Sequence, residues 1–416
     1  MSNVKNPQLA TQGNQKLDWA IRNMPVLAAI RKRFEKEKPF AGSHIACCLH
    51  VTKETGILVL ALQAGGAKVS LCGSNPLSTQ DDVAAALAAG GIDAYAWRGI
   101  GKEDYYKAVN HALDLQPHIV IDDGADLINT LHQSRRELLP NLLGGQEETT
   151  TGVIRLRAMA DDGKLEFPVI AVNDTPTKHY FDNYYGTSQG TLDAIMRTTN
   201  ALIAGKHFVV AGYGWCGKGM ALRAHGLGAK VTVCEVDPVK ALAAHMDGYT
   251  VAPMEKAAEY GDFFVTLTGD KDVLTRKHFE KMKDGAILAN SGHFDCEIDV
   301  AGLEKTAKSK QTPRDNLEEY TLQNGRKLYL IGQGRLANLA AAEGHSSEIM
   351  DLSFSDQALA AEYLLMHAKN LKPGVHLLPE ELDRFVAQTK LDTQGVKIDT
   401  LTAEQAQYLK SWQHGT

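Results

Sequence analysis

The sequence predicts an α/β protein built as two doubly wound parallel-sheet domains, followed by a short helical C-terminal segment. Three observations predict it. Short apolar runs alternate with helical patterns from about residue 44 to residue 174. A second series of the same kind runs from 207 to 334. It opens on VVAGYGWCGKG (209–219), where glycines stand at a strand-to-helix turn. Strand–helix alternation favours a parallel sheet covered by helices. A chain of 416 residues is also too long for one ordinary core.

In the first series the strand-like runs are HIACCLHV (44–51), AKVSLCGSN (67–75), DAYAWRG (93–99), HIVIDDG (118–124) and FPVIAVND (167–174). Alanine- and leucine-rich segments such as DDVAAALAAGG lie between them and read as helices. In the second series the runs are HFVVAGYG (207–214), KVTVCEVD (230–237), DFFVTLTG (262–269), GAILANSG (285–292) and KLYLIGQG (327–334). The two units join near residues 182–205. From SSEIMDLSF onward the chain reads as helical and leads to an amphipathic tail, TLTAEQAQYLKSW. Such a tail packs back on its own domain or joins a neighbouring subunit.

Composition narrows the partners. Hydrophobic content of 44% and charged content of 23% are those of a soluble globular protein. A formal net charge of −6 argues against nucleic acid, which calls for a basic face. No apolar run reaches membrane-spanning length, and the polar N-terminus lacks a signal core. The cysteines Cys47, Cys48, Cys72, Cys216, Cys234 and Cys296 form no C-x-x-C pair. No zinc site or redox dithiol is expected, and the usage fits a reducing, cytoplasmic setting. No H-E-x-x-H spacing occurs, so no metal is expected.

Gly212, Gly214 and Gly217 fit G-x-G-x-x-G. The first allows the tight turn, the second admits a pyrophosphate, and the third lets helix pack on strand. The phosphates then meet free N–H groups at the helix N-terminus. Glu235 ends the next strand, about 20 residues further on, where a carboxylate binds the ribose hydroxyls and repels a 2′-phosphate. NAD is therefore the expected cofactor. The competing reading makes these glycines turn residues only.

The strand ends of the first half carry polar clusters, where open α/β sheets bind ligands. They supply His50, Thr52 and Glu54; Ser78, Thr79 and Gln80; Asp122 and Asp123; Glu147, Glu148 and Thr149; and Asn173, Lys178, Asp182 and Asn183. Each has a plainer explanation: a core histidine, a helix cap from Ser78, Thr79, Asp122 or Asp123, an exposed i,i+4 pair of Lys178 and Asp182, a solvated loop. Together they make a site rich in acids, bases and hydroxyl binders. Lys178 and Asp182 share a face if the segment is one helical turn. A lysine there moves a proton best with a pKa lowered by partial burial.

CLHVTKET, STQDD, DDGADL, EETTTG, ND-xxx-K-xxx-DN, AGYGWCGKG, SGHFDCEID and GRLANLAAAEGH occur in that order. This series closely resembles that of the S-adenosyl-L-homocysteine hydrolase family, over residues 15 to 412. The resemblance implies one tightly bound NAD per subunit and a place in the methyl cycle of one-carbon metabolism. NAD would oxidise the nucleoside 3′-hydroxyl, the homocysteine thiol would be eliminated from C5′, water would add, and the hydride would return. It implies a substrate-binding domain at 1–185, completed by 347–378, a Rossmann NAD domain at 186–346, an oligomerisation segment at 379–416, and a homotetramer.

Carried over by residue, Lys178 and Asp182 handle the 3′-hydroxyl and nearby protons, and Glu148 binds the ribose. His50 and Asp123 serve proton transfer at C5′ and the leaving sulfur. His293 and His345 line the cleft. Thr52 and Glu54 hold the adenine, with Gln80 on the substrate side. Thr149, Thr150, Thr151, Asn183, Glu235 and Asn338 contact NAD. Two departures stand out: Thr187 occupies a position often held by cysteine, and the ending SWQHGT lacks a longer tail that contacts a neighbour's NAD, which implies weaker retention. Some short forms of the family prefer an inosine base. Glu54 can accept from an exocyclic amine, which favours adenine. An ordinary NAD-dependent dehydrogenase of an external alcohol is the rival reading.

Overall fold

The computed structural model describes residues 2–413. Every apolar run of both series forms a strand, and each strand stops short where its run turns polar. The polar ends are thereby left above the sheets.

Across the first sheet the strands lie in the order Asn3–Val4, Asp93–Ala96, Lys68–Gly73, His44–Leu49, Ile119–Asp122, Gly144–Glu147, Pro168–Ala171 and Gly374–His376. All pair in parallel. Side chains alternate between two cores, as period-2 geometry requires. Ile45, Cys47 and Leu49 enter one core with helices Pro25–Glu37, Lys53–Ala64 and Ser347–His367. Ala46 and Cys48 enter the other with Lys102–Leu113 and Asp126–Ser134. Gly144–Glu147 reads as loop in sequence, because a GGQE run has low strand propensity, yet it is a fully buried inner strand.

The second sheet runs Thr250–Val251, Lys230–Cys234, His207–Ala211, Phe263–Thr266, Ala286–Asn290, Lys327–Ile331, Leu317–Leu322 and Ala307–Arg314. Its last two strands form an antiparallel hairpin at the edge. That departs from a purely parallel sheet. The KSKQTPR stretch is polar and exposed, so it carries no apolar strand signal.

The chain returns to the first sheet after residue 346. Asp351, on helix Ser347–His367, accepts from the backbone N–H groups of Val26 and Leu27 at 3.2 and 2.9 Å and so caps helix Pro25–Glu37. Helix Glu380–Thr393 packs back on the same chain: Val386 enters the first core and Lys390 pairs with Asp351 at 2.8 Å. The tail helix Ala403–Tyr408 buries no residue. The last three residues of the 379–416 segment lie outside the described part.

Candidate active site

Each sheet has a switch point where the strand order reverses direction from its first central strand. In the first sheet it lies between His44–Leu49 and Ile119–Asp122, followed by His50 and Asp123. In the second it lies between His207–Ala211 and Phe263–Thr266, where Gly212–Gly214 begin. Such crevices are where open α/β sheets bind ligands. Both face one cavity of about 1550 Å³. That exceeds a usual small-molecule pocket of roughly 300–1,000 Å³, leaving room for a dinucleotide and a second molecule.

The second-sheet side fits a dinucleotide. Gly212 holds φ at +101°, a left-handed conformation. A Cβ on Gly217 would stand 2.0 Å from the Gly212 carbonyl oxygen, so only glycine lets helix Trp215–Gly226 approach the turn. Gly217 thus lies beneath the cavity wall, while Gly212 and Gly214 are on it. Glu235 accepts from the N–H groups of Tyr213 (2.7 Å), Val236 (2.7 Å) and Asp237 (3.0 Å), which fixes its carboxylate at the strand end. Thr149, Thr150, Thr151, Asn183 and Asn338 share the wall. The buried Thr151 Oγ1 and Asn338 Oδ1 have no partner within the chain. Buried polar atoms are rarely left so, and a bound dinucleotide offers the hydrogen bonds they lack.

Lys178 stands between the two sides. It closes the turn Pro176–Lys178, which continues into a π-helical stretch, His179–Gly186, carrying Asp182 and Asn183. Its Nζ lies 2.8 Å from Asp182 Oδ2, 2.8 Å from Asn183 Oδ1 and 3.0 Å from Asn173 Oδ1. Three acceptors meet the three hydrogens of an ammonium. Glu148 Oε1 is 3.8 Å away. Burial by itself would lower the lysine, but Asp182 and Glu148 outweigh it and the pKa is raised. The expectation of a lowered lysine is therefore corrected: a carboxylate in contact favours the charged form more than burial disfavours it. Asp182 is held below the usual carboxylate range: burial opposes this, and His345 and Lys178 overcome it. His345 Nδ1 contacts its other oxygen. Burial pushes Glu148 up to about 7.

On the first-sheet side, Asp123 lies between two imidazoles, 3.3 Å from His50 Nε2 and 3.5 Å from His293 Nδ1. The ligand atoms of His50, Asp123 and His293 fall within 4.8 Å of one another, so by type they could also hold a metal ion. Three separate strand ends supply them, which no spacing motif could signal. Burial pushes His50 down to about 4. Its Nδ1 lies 2.7 Å from Ser78 Oγ, so Ser78 serves the histidine and does not cap a helix. Helix Asp81–Ala89 starts after Gln80 without a side-chain cap. Asp122 does cap the next helix, accepting from Ile128 N–H in the first turn of Asp126–Ser134 at 2.8 Å, and Glu147 accepts from Gly124 and Ala125, both at 2.9 Å. These acids brace the loop that carries Asp123.

Not every expected residue reaches the cavity. Thr52 and His345 are on the wall, but Gln80 and Glu54 are not. Glu54 is 1% exposed and taken up by Ser347 Oγ at 2.6 Å and Lys53 at 3.2 Å. Gln80 Oε1 is buried without a partner in the chain. At Thr187, Cys216 Sγ lies 3.7 Å from the hydroxyl, so a thiol is still present. Ser353 and Gln357, not singled out by any sequence motif, donate to the Glu148 carboxylate from helix Ser347–His367. Their only trace is polar residues four apart in a helix otherwise rich in apolar ones.

The family model described as S-adenosyl-L-homocysteine hydrolase matches residues 1–142, and the one for its NAD-binding domain matches residues 183–344. Curated relatives span nearly the whole chain. An adenosylhomocysteinase of Aquifex aeolicus is 58% identical, over 99% of this chain and 99% of its own. One from Pyrococcus abyssi is 57% identical, over 99% and 98%. An S-inosyl-L-homocysteine hydrolase of Methanocaldococcus jannaschii is 55% identical over the full length of both chains.

Proposed function

Since the chain belongs to the S-adenosyl-L-homocysteine hydrolase family, we propose that Lys178 and Asp182 work on the nucleoside sugar while His50, Asp123 and His293 work at its thioether end. The enzyme catalyses the reversible hydrolysis of S-adenosyl-L-homocysteine to adenosine and L-homocysteine, with NAD as cofactor. When bound, NAD supplies a reversible hydride acceptor for the sugar C3′. The Gly212–Gly217 turn, Glu235, Thr149 to Thr151 and Asn338 would hold it, with Asn183 on the nicotinamide side.

Lys178 enters the step as the amine, takes the proton of the 3′-hydroxyl and becomes the ammonium that Asp182 and Glu148 stabilise, and the reverse step returns that proton. Glu148, tethered by Ser353 and Gln357, accepts hydrogen bonds from the ribose hydroxyls. His50 is neutral near pH 7. Placed between the Ser78 hydroxyl and the Asp123 carboxylate, it passes a proton between water and the leaving sulfur at C5′. His345 keeps Asp182 ionised, and Thr52 faces the base. Burial of these groups keeps stray water from the reacting carbons.

One observation carries this reading: an ammonium saturated by acidic and amide acceptors at the meeting point of two switch-point crevices. It is tested by thiol release from S-adenosyl-L-homocysteine by the NAD-loaded enzyme. Lys178→Ala, with NAD still bound, should lower turnover by about 10³-fold or more. Turnover within tenfold of wild type would remove Lys178 from the chemistry. The hypoxanthine thioether, run alongside, should be cleaved more slowly than the adenine one.

The active protein is a homotetramer in this reading. Exposed Val239, Leu242 and Met246 on helix Pro238–Met246, and Leu401, Leu409 and Trp412 in the tail, give it apolar surface to bury. Light scattering at the four-chain mass tests this. Six free thiols fit the reducing cytoplasm, and no helix among the described residues is long and apolar enough to cross a membrane.

A further inference from the structure

Just off the cavity wall, the residue before Lys178 is gripped from two other elements. Thr177 Oγ1 lies 2.7 Å from Asp356 Oδ2, on helix Ser347–His367, and also contacts Asp383 Oδ1, on helix Glu380–Thr393. The Thr177 backbone N–H donates to the same Asp383 oxygen at 2.9 Å. All three residues are buried, and Asp356 is 0% exposed.

A hydroxyl has one hydrogen, so it cannot donate to two carboxylates at once. If both acids were ionised, two negative charges would meet in a dry site. The charged groups that act on Asp356 are Asp383 and Glu148, both acidic, and among the described residues no cation offsets them. Lys178 is already committed to Asp182, Asn173 and Asn183. Two close acids in such surroundings cannot both ionise. Asp356 is the one that keeps a proton: its Oδ1 has no partner in the chain, whereas Asp383 also receives a backbone N–H. Burial raises Asp356 well above the usual carboxylate range.

We infer that Asp356 is a neutral carboxylic acid that donates to Thr177, that Thr177 donates to the Asp383 carboxylate, and that this relay makes all three positioning residues for Lys178. The direction of the relay follows from the counts of donors and acceptors. Asp356 O–H gives to Thr177 Oγ1, Thr177 O–H gives to Asp383, and Asp383 also takes the Thr177 N–H. The turn Pro176–Lys178 is thereby fixed from both C-terminal helices, and Lys178 is aimed at Asp182 and the cavity. Helix Glu380–Thr393, expected to serve oligomerisation, thus also braces the turn that carries Lys178. The inference rests on the reading of Lys178 given above, and its test keeps the two apart.

The test uses the full-length, NAD-loaded enzyme. Thr177→Val keeps the shape and removes the relay, so kcat should fall about tenfold or more with little change in KM, since small misplacements cost that much. Thr177→Ser restores the hydroxyl and should recover most of the rate. Asp356→Asn replaces one neutral donor with another and should stay near wild type. The infrared difference between wild type and Asp356→Asn at neutral pH should show the lost carbonyl band of a protonated acid. A full rate in Thr177→Val, or no rescue by serine, overturns the positioning role. An absent acid band, or an Asp356→Asn as slow as Thr177→Val, overturns the proton. Should Thr177→Val fail to fold, the serine variant and the infrared band still decide. An active Lys178→Ala would sink the reading of Lys178 and with it the positioning role, while the band, which does not depend on Lys178, would still report the proton on Asp356.

Discussion

Glu148 is a carboxyl group set among hydroxyl and amide donors, 3.8 Å from an ammonium, and still pushed up to about 7 by burial. A raised acid favours folding fully below its unfolded pKa near 4.5, and that contribution is lost as pH rises through about 7. Glu148→Gln removes the titration. The NAD-loaded variant, without nucleoside, should melt roughly 2–4 °C above wild type at pH 8, the gap closing toward pH 5. Its kcat/KM should fall by about 10- to 100-fold, the worth of a hydrogen bond to a charged acceptor. A gap constant with pH would show that Glu148 is not strained by its charge. Residues of this kind were legible only in part. Glu148 and Lys178 stand in short polar clusters at strand ends, and Asp123 in IDDGAD. Ser353, Gln357 and Asp356 were not, since a polar residue inside a long helix looks the same whether it faces solvent or a buried acid. Gln80 and Glu54 show the limit from the other side: Gln80 precedes helix Asp81–Ala89 and Glu54 lies in the first turn of helix Lys53–Ala64, beside the site in sequence but off the cavity wall.

Among the elements, the turn from strand His207–Ala211 to helix Trp215–Gly226 was the easiest to read, because its glycines each meet a distinct steric need. Gly217 gives the sharpest case. Gly217→Ala puts a methyl group 2.0 Å from a backbone oxygen that cannot swing aside. The helix must then lift from the turn, at a cost of about 1–3 kcal/mol, and its N-terminal N–H groups move away from the phosphates. The variant should lose most of its NAD on gel filtration, measured as nucleotide released from denatured protein. Gly226→Ala, in the same helix with nothing within 4 Å of the added carbon, should keep it. Equal retention in both would mean that close helix–turn packing does not set cofactor affinity. Elements without an apolar pattern were missed. Gly144–Glu147 is a buried strand that begins with two glycines, and Ala307–Arg314 is an exposed edge strand made of polar residues. In both, neighbouring strands supply the hydrogen bonds that propensity does not announce.

For the molecule as a whole, strand–helix alternation announced two α/β units but not what holds them face to face. Arg98, at the end of a first-sheet strand, donates to the Leu77 carbonyl on its own side and reaches across to the Ala340 carbonyl and, at 3.3 Å, to Asn316 Oδ1 at the turn of the edge hairpin. Lys53 adds a second link to Glu343 at 3.1 Å, on the chain's return path. Both lie where the chain crosses between the units, and across the cavity His293 comes so close to Gly124 that an added Cβ there would meet its Nε2 at 2.4 Å. The two units therefore meet through a few charged contacts on one side of the cavity and through tight contact on the other. Contacts of this size break and reform, as admitting a nucleoside and then shutting out water requires. Arg98→Ala should leave each unit folded and NAD bound, yet shift the balance toward open forms. The radius of gyration from solution scattering should rise without nucleoside and fall back when it is saturating. KM for S-adenosyl-L-homocysteine should rise about tenfold, the order expected for a lost charged hydrogen bond, with kcat changed less. Scattering curves that superimpose with wild type, with and without nucleoside, would show that the clasp does not govern closure, and the burial of Lys178 would then have to arise within each unit alone.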